Sequence, residues 1–348
     1  MRIRSHLCSL TVTLLVVGAG SCLVAPTLHA DSIELVSGKR YDKIKAVKAT
    51  WQLVEFRAGS RKRVPGDQVL RLVRDSERLA QARSLEEAGD VSGALKELAN
   101  FADLDAKVWE KAEAAYLVGA LEHRRGRKKA ATKALEAYLE EYKGTKDWFV
   151  PAALLALGDL LLTSGKPGTA EVHFKELETM GGAWELRSKL GQGKALLASQ
   201  GKEGAQDARK LFLEVIQGSK DVELKQEALV ARAEALIVGE DPELAIDELN
   251  RAFFDSPKPK EFRYGAARAR ACLLMSRAQV ALGGKDRQKA RDYLERGELW
   301  ALRVAVLHRH QVQEFGEACD FLVKLYERLG KKKQAAAWKK RKAAGASS

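Results

Sequence analysis

Four histidines and two cysteines follow the first thirty residues of this 348-residue chain, and they are where metal or nucleophilic chemistry would have to start. His308 and His310 stand two apart, so on a helix their side chains diverge by roughly 200°. His123 and His173 lie far from both. The chain contains no His-Glu-x-x-His run and no Cys-x-x-Cys pair, the spacings that let one element present two ligands to zinc. The stretch GQGKAL at Gly191 imitates a dinucleotide loop but lacks the third glycine and follows no strand-like run. Neither a phosphate loop nor a Gly-x-Ser-x-Gly elbow occurs, and no two carboxylates are set apart as an acid–base pair. The sequence therefore points away from an enzyme, and no metal or cofactor is expected.

The elements that would carry these residues are overwhelmingly helical. Ala, Leu, Glu, Lys and Arg dominate, Pro contributes only 7 residues, and aromatics make up 7%, too few for a mostly β protein. In LLALGDLLLTSGKPGTAEVHFKEL, from Leu154 to Leu177, the residues Leu154, Leu157, Gly158 and Leu161 fall on one helix face. SGKPG then interrupts the chain, and Ala170, Phe174 and Leu177 form a second apolar face. Gly158 and Ala170 are small where two helix backbones must approach, and Phe174 is placed to fill the groove beside them. The pattern returns around Ala94, Ala131, Ala208, Ala245, Ala290 and Ala335, a period of roughly 37 to 45 residues that is typical of helical-hairpin arrays. Such hairpins bury their apolar faces only by stacking on one another.

Leu154, Leu157–Gly158, Gly165, Ala170 and Phe174 resemble the tetratricopeptide repeat family. The pattern departs at Leu161 and Leu177 and in its longer period. The resemblance runs from Asp75 to the basic tail and implies a mostly α protein: an α-solenoid of about seven hairpins. It also implies a groove lined by the first helix of each hairpin. One stripe of those helices supplies Tyr116, Ala120 and His123, then Leu155, Asp159 and Leu162, then Val230, Glu234 and Ile237, and finally Leu274. A mixed apolar stripe of this kind suits an extended peptide or a partner helix. The Lys/Asn clamp by which some members hold a C-terminal carboxylate is not seen.

Residues 31–74 read differently. Short alternating runs at Ile33–Val36, Tyr41–Val47, Trp51–Arg57 and Arg61–Val64 are separated by SGK, AGSR and PGD, which predicts a small antiparallel sheet or SH3-like barrel packed on the first helices. Asp75 is placed to cap the first helix. Residues 75–342 form the solenoid and residues 343–348 a disordered tail.

Residues 1–30 carry Arg2 and Arg4, an apolar run from Leu7 to Val17 and a small residue at Ala30, the layout of a secretory signal cleaved after Ala30. An uncleaved anchor over Leu7–Ala25 and lipidation at Cys22 are the alternatives. The expected location is the periplasm, the cell envelope or outside the cell. Cys272 and Cys319, near the starts of adjacent first helices, are either two buried thiols or a single bridge. Net charge is +13, much of it in HRRGRKK from His123 and KKKQAAAWKKRK from Lys331. Such runs suit solvated helix ends, or attraction to an anionic polymer or membrane surface. The six tryptophans are scattered and most sit in apolar helix patterns, so no nucleic-acid partner is expected.

Overall fold

The computed structural model describes residues 31–35, 37–103, 105–255 and 265–345. The stretch read as a secretory signal, and the last three residues, lie outside these.

Five strands come first: β1 (Asp31–Leu35), β2 (Arg40–Ala49), β3 (Leu53–Ala58), β4 (Ser60–Pro65) and β5 (Val69–Val73). They form one antiparallel sheet in the order β4-β3-β2-β1-β5. β5 lies beyond the four runs that alternation picks out, because VLRLV places apolar residues side by side and hides a period of two. Ile33, Ile44, Val54, Phe56, Val69 and Leu72 form the sheet's own core. Trp148, from the helical part, packs on that core, while Trp51 of the sheet packs on the helical one. The Trp51 N–H donates to the carbonyl of Lys146 at 3.3 Å, so the sheet also sits against the turn after the fourth helix, beyond the first helices that the sequence indicated.

Fourteen helices follow among the described residues, paired into seven hairpins: α1 (Glu77–Glu87) with α2 (Val91–Ala99), α3 (Val108–Arg124) with α4 (Lys128–Tyr142), α5 (Val150–Thr163) with α6 (Pro167–Glu178), α7 (Gly182–Gln200) with α8 (Ala205–Gly218), α9 (Val222–Val238) with α10 (Pro242–Leu249), α11 (Ala266–Lys285) with α12 (Ala290–Leu307), and α13 (Val312–Arg328) with α14 (Lys332–Gly345). The cap of α1 is Ser76, one residue past Asp75; its hydroxyl accepts the Leu79 N–H, as a residue at the N-cap should. α14 continues to Gly345, so residues 343–345 are helical rather than tail.

Close packing follows the small residues. Ala94, Ala131, Ala170, Ala208 and Ala245 are all fully buried. A Cβ at Gly158 would lie 2.5 Å from the Phe174 ring, and one at Gly193 would lie 2.5 Å from Phe212. Gly191, the loop-like glycine of GQGKAL, also faces the Phe174 ring, where a Cβ would come within 2.4 Å. These glycines are therefore helix-contact positions. Ala290 is only half-buried, yet its backbone is closely approached: a Cβ at Gly283 would lie 3.2 Å from the Ala290 carbonyl, and one at Gly297 3.1 Å from the Ser276 carbonyl.

Both thiols are free and buried. Cys272 belongs to a cluster with Val304 and Ala318, whereas Cys319 points into the next cluster with Trp338. One residue along a helix turns a side chain by about 100°, so Ala318, not Cys319, meets Cys272. Burial pushes the Cys272 thiol up to about 11. The bridge left open by the sequence is not formed.

Every hairpin turn except that between α11 and α12 places one residue at positive φ, as Gly165 does at 73°. Between α9 and α10 that position is Glu240, at φ 65°, because Gly239 comes one residue too early. Left-handed backbone is unfavourable for any residue with a Cβ. Its exposed ion pair with Lys202 contributes little. Glu240→Gly is therefore expected to raise the thermal midpoint by about 1–3 °C in a melt followed by circular dichroism; an unchanged or lower midpoint would show that the turn is not strained.

Candidate binding face on the first helices

The first helices α3, α5, α7, α9, α11 and α13 each touch the next first helix in the series. The stripe predicted to line a groove maps onto that row, but its members divide. Leu155 and Asp159 of α5 line a shallow cleft with Arg187, Leu190, Gly191 and Lys194 of α7 and Leu224 and Glu227 of α9. The cleft holds about 50 Å³, room for one small group. His123 stands exposed at the end of α3, near enough for its charge to act on Asp159.

The electrostatics of the cleft are unequal. Lys194 pairs with Glu227 at 2.5 Å, and Arg187 pairs with Asp221 at 3.0 Å. Both cations are thus drawn toward α9, and among the described residues no hydrogen bond reaches the Asp159 carboxylate. Burial raises the Asp159 carboxyl above its usual 3.8; Lys194 opposes this and Glu227 adds to it. The cleft therefore offers an acceptor that is short of partners, flanked by the apolar side chains of Leu155, Leu190 and Leu224.

The remaining stripe residues do other work. Tyr116 stacks on Phe149 with ring centroids 4.6 Å apart and meets Tyr138 edge-on, and burial raises its phenol; it is a packing residue between repeats. Leu162 packs on the same core. Val230 and Leu274 are buried in the core between α9 and α11, with Ile237 packed on it, so neither Val230 nor Leu274 lines a groove. Glu234 is engaged by Arg277 at 3.3 Å and Arg270 at 3.6 Å, both of which also pair with Glu317 of α13. That network closes the row over α9, α11 and α13.

The sequence missed Leu190 and Lys194. The spacing that selects Leu155 and Asp159 around Gly158, three before and one after, selects Leu190 and Lys194 around Gly193, so the signal was present.

The basic runs are used locally. Arg124 pairs with Glu86, Arg127 with Glu122 at 3.8 Å, and Lys128 donates to the Thr163 carbonyl at 3.2 Å. In α14, Lys339 pairs with Glu327, Lys342 with Asp320, and Arg341 stacks on Trp338 at 4.6 Å. His123 on α3 and His173 on α6 stand apart from the His308–His310 ring pair after α12, whose centroids are 6.3 Å apart, and among the described residues no group of three or more His, Cys, Asp or Glu could hold a metal. No described helix is long and apolar enough to cross a membrane.

Seven stacked hairpins, two of them with a glycine set against an aromatic ring of the paired helix, define a tetratricopeptide-like α-solenoid. Among solved structures, the chain is similar to the apo form of RapI, with a TM-score of 0.54 and 11% identity over 77% of this chain and 96% of that one. It is also similar to the C-terminal part of a TPR repeat-containing protein from Cytophaga hutchinsonii, with a TM-score of 0.45 and 14% identity over 76% of this chain and 94% of that one. A tetratricopeptide repeat protein from Parabacteroides merdae gives a TM-score of 0.37 and 14% identity over 66% and 92%. No protein-family model matches the chain, and no curated protein does.

Proposed function

We propose that this chain is an exported, non-catalytic scaffold that holds a peptide or helix of another protein against its first helices, centred on Leu155 and Asp159. Export rests on the signal-like first thirty residues. The binding reading rests on one observation: a half-buried carboxylate, Asp159, left without a hydrogen-bond donor beside an apolar floor while Lys194 and Arg187 of the same cleft pair with Glu227 and Asp221. Desolvated acceptors without partners are costly, and a site that tolerates one is suited to a ligand that supplies the donor. The complementary ligand carries a small apolar side chain next to a Lys or Arg.

Asp159→Asn separates binding from stability. The folded carboxyl titrates above its unfolded value, so ionisation disfavours the fold as pH rises from about 3.8 through the raised value, and the penalty is fully present at pH 7. Removing the charge is therefore expected to raise the thermal midpoint at pH 7 while leaving it unchanged at pH 3. Peptides selected on the wild-type protein from a displayed random library should share a basic residue and bind Asp159→Asn at least about tenfold more weakly, since hydrogen bonds to charged groups contribute roughly 1.5–3 kcal/mol. Selected peptides that lack a basic residue, or that bind both proteins equally, would remove this site from the proposal.

A further inference from the structure

Besides the two basic runs of the solenoid, the sheet concentrates positive charge. Residues 31–74 carry eleven Lys or Arg against five Asp or Glu, so nearly half of the net charge of +13 belongs to this part of the chain. Strand register collects the excess on one face. Lys45 stands opposite Arg57 and Arg57 opposite Arg61, so three cations form a row straight across β2, β3 and β4. The next row is Lys48, Glu55 and Arg63. All five cations are exposed. Glu55 is buried beneath two of them, accepting Arg61 at 2.5 Å and Arg63 at 2.7 Å. Those two side chains remain 55% and 64% exposed, so Glu55 fixes the guanidiniums in place without covering them. Toward β1 and β5 the charges balance: Arg40 pairs with Asp42, and Arg71 stands opposite Glu34. Val54 and Phe56, which alternate with Glu55 and Arg57, point the other way into the sheet's core, where Trp148 of the solenoid packs. Like charges set directly opposite one another destabilise a sheet. Charge on an edge strand prevents edge-to-edge pairing, which accounts for Arg61 on β4 but not for Arg57 on β3, flanked by a strand on each side.

We infer that this outer face of β2, β3 and β4 docks on an anionic lipid surface. Two features select that partner. The cations spread in two dimensions, about 5 Å apart between strands and about 7 Å apart along them, which suits the plane of a lipid surface. A single-stranded polymer is instead tracked by a groove with stacking aromatic rings, and none of the six positions in the two rows holds an aromatic residue. Nor does any of the six hold an apolar residue, so the face lacks the centre around which a protein interface builds its affinity. Attraction of exposed Lys and Arg to phosphate headgroups needs neither. The inference does not depend on the reading of the Leu155–Asp159 cleft.

The test is lysine acetylation of the full chain, read residue by residue by mass spectrometry, with vesicles of phosphatidylcholine alone or mixed with phosphatidylglycerol. Lys45 and Lys48 should react several-fold more slowly on the mixed vesicles, and high salt should remove the difference. Lys332 and Lys333, exposed on α14, should react equally on both. Because each lysine is read separately, attachment through the apolar run Leu7–Val17 does not mask the result. The double variant Lys45→Gln, Arg57→Gln should need roughly twenty-five-fold more anionic lipid for the same protection of Lys48, about fivefold per cation. Its thermal midpoint should not fall, because the change relieves a pair of like charges, so lost protection would not be lost folding. Lys332→Gln, Lys333→Gln removes the same charge elsewhere and should leave Lys48 protected. The proposal is overturned if Lys45 and Lys48 react equally on both kinds of vesicle or if the α14 variant loses protection as fully as the sheet variant. It is also overturned if soluble polyphosphate protects them at lower phosphate concentrations than the vesicles do, which would assign the face to a linear polymer.

Discussion

Phe174→Ala is expected to cost about 3–5 kcal/mol of stability, the largest loss from any single truncation on α6. The reason lies in what the ring touches. It is fully buried and packs against Gly158 of its own hairpin and Gly191 of the next, so deleting it opens space on both sides of a repeat junction. Two backbones set close around a planar ring collapse poorly when the ring goes, because helix rigidity keeps them apart. In a stacked array each repeat is held mainly by its neighbours, so the lost contact also weakens coupling between α5–α6 and α7–α8. Urea unfolding followed by circular dichroism should show a lower midpoint and a broader or split transition. Val172→Ala, two residues away but 62% exposed, should stay within about 0.5 kcal/mol of wild type. A double-mutant cycle sharpens the test. Gly191→Ala should destabilise the wild-type protein, whose ring a Cβ would strike at 2.4 Å, but should be close to neutral when Phe174 is already Ala. Equal losses from Phe174→Ala and Val172→Ala would sink the packing account.

The same contact explains how much of this molecule was readable beforehand. Gly158, Ala170 and Phe174 announce a hairpin because close helix approach needs small residues at fixed offsets, and those offsets are local in sequence. The row Leu155–Asp159 was readable for the same reason. Leu274 was not. Residues Ala271–Ser276 of α11 are all buried, so no polar position beside Leu274 tells groove from core there. The stacking of Tyr116 on Phe149 was not legible, because Phe149 arrives from the start of the next hairpin, a contact that no helical period encodes. The lack of a donor for Asp159 also depends on distant choices: Lys194 turns to Glu227 and Arg187 to Asp221, although the sequence offers each of them other acids. Local geometry is written in spacing. The pairing of charges across repeats is settled only when the repeats stack.

Glu113→Ala is expected to be nearly as damaging as the loss of Phe174, by an electrostatic route. Glu113 of α3 is 3% exposed and receives Arg83 of α1 directly and Arg74 more loosely at 3.8 Å, so one carboxylate serves two guanidiniums at the junction of sheet and solenoid. Removing it leaves Arg74 buried with only the more distant Asp147 and Asp31 to favour its charge, and breaking a buried pair in this way costs about 3–5 kcal/mol. Arg83, at 20% side-chain exposure, can turn toward water and recover part of its solvation. Arg74, at 8%, cannot do so without leaving Trp109. The cost should therefore follow Arg74. In the double variant Glu113→Leu, Arg74→Met, the uncompensated charge is gone and apolar atoms fill the space, so most of the lost stability should return, as replacement of buried ion pairs by apolar groups commonly allows. Thermal melts of the single and double variants decide the matter. If the double variant is no more stable than Glu113→Ala, the carboxylate acts through packing alone, and Arg74 was never dependent on it.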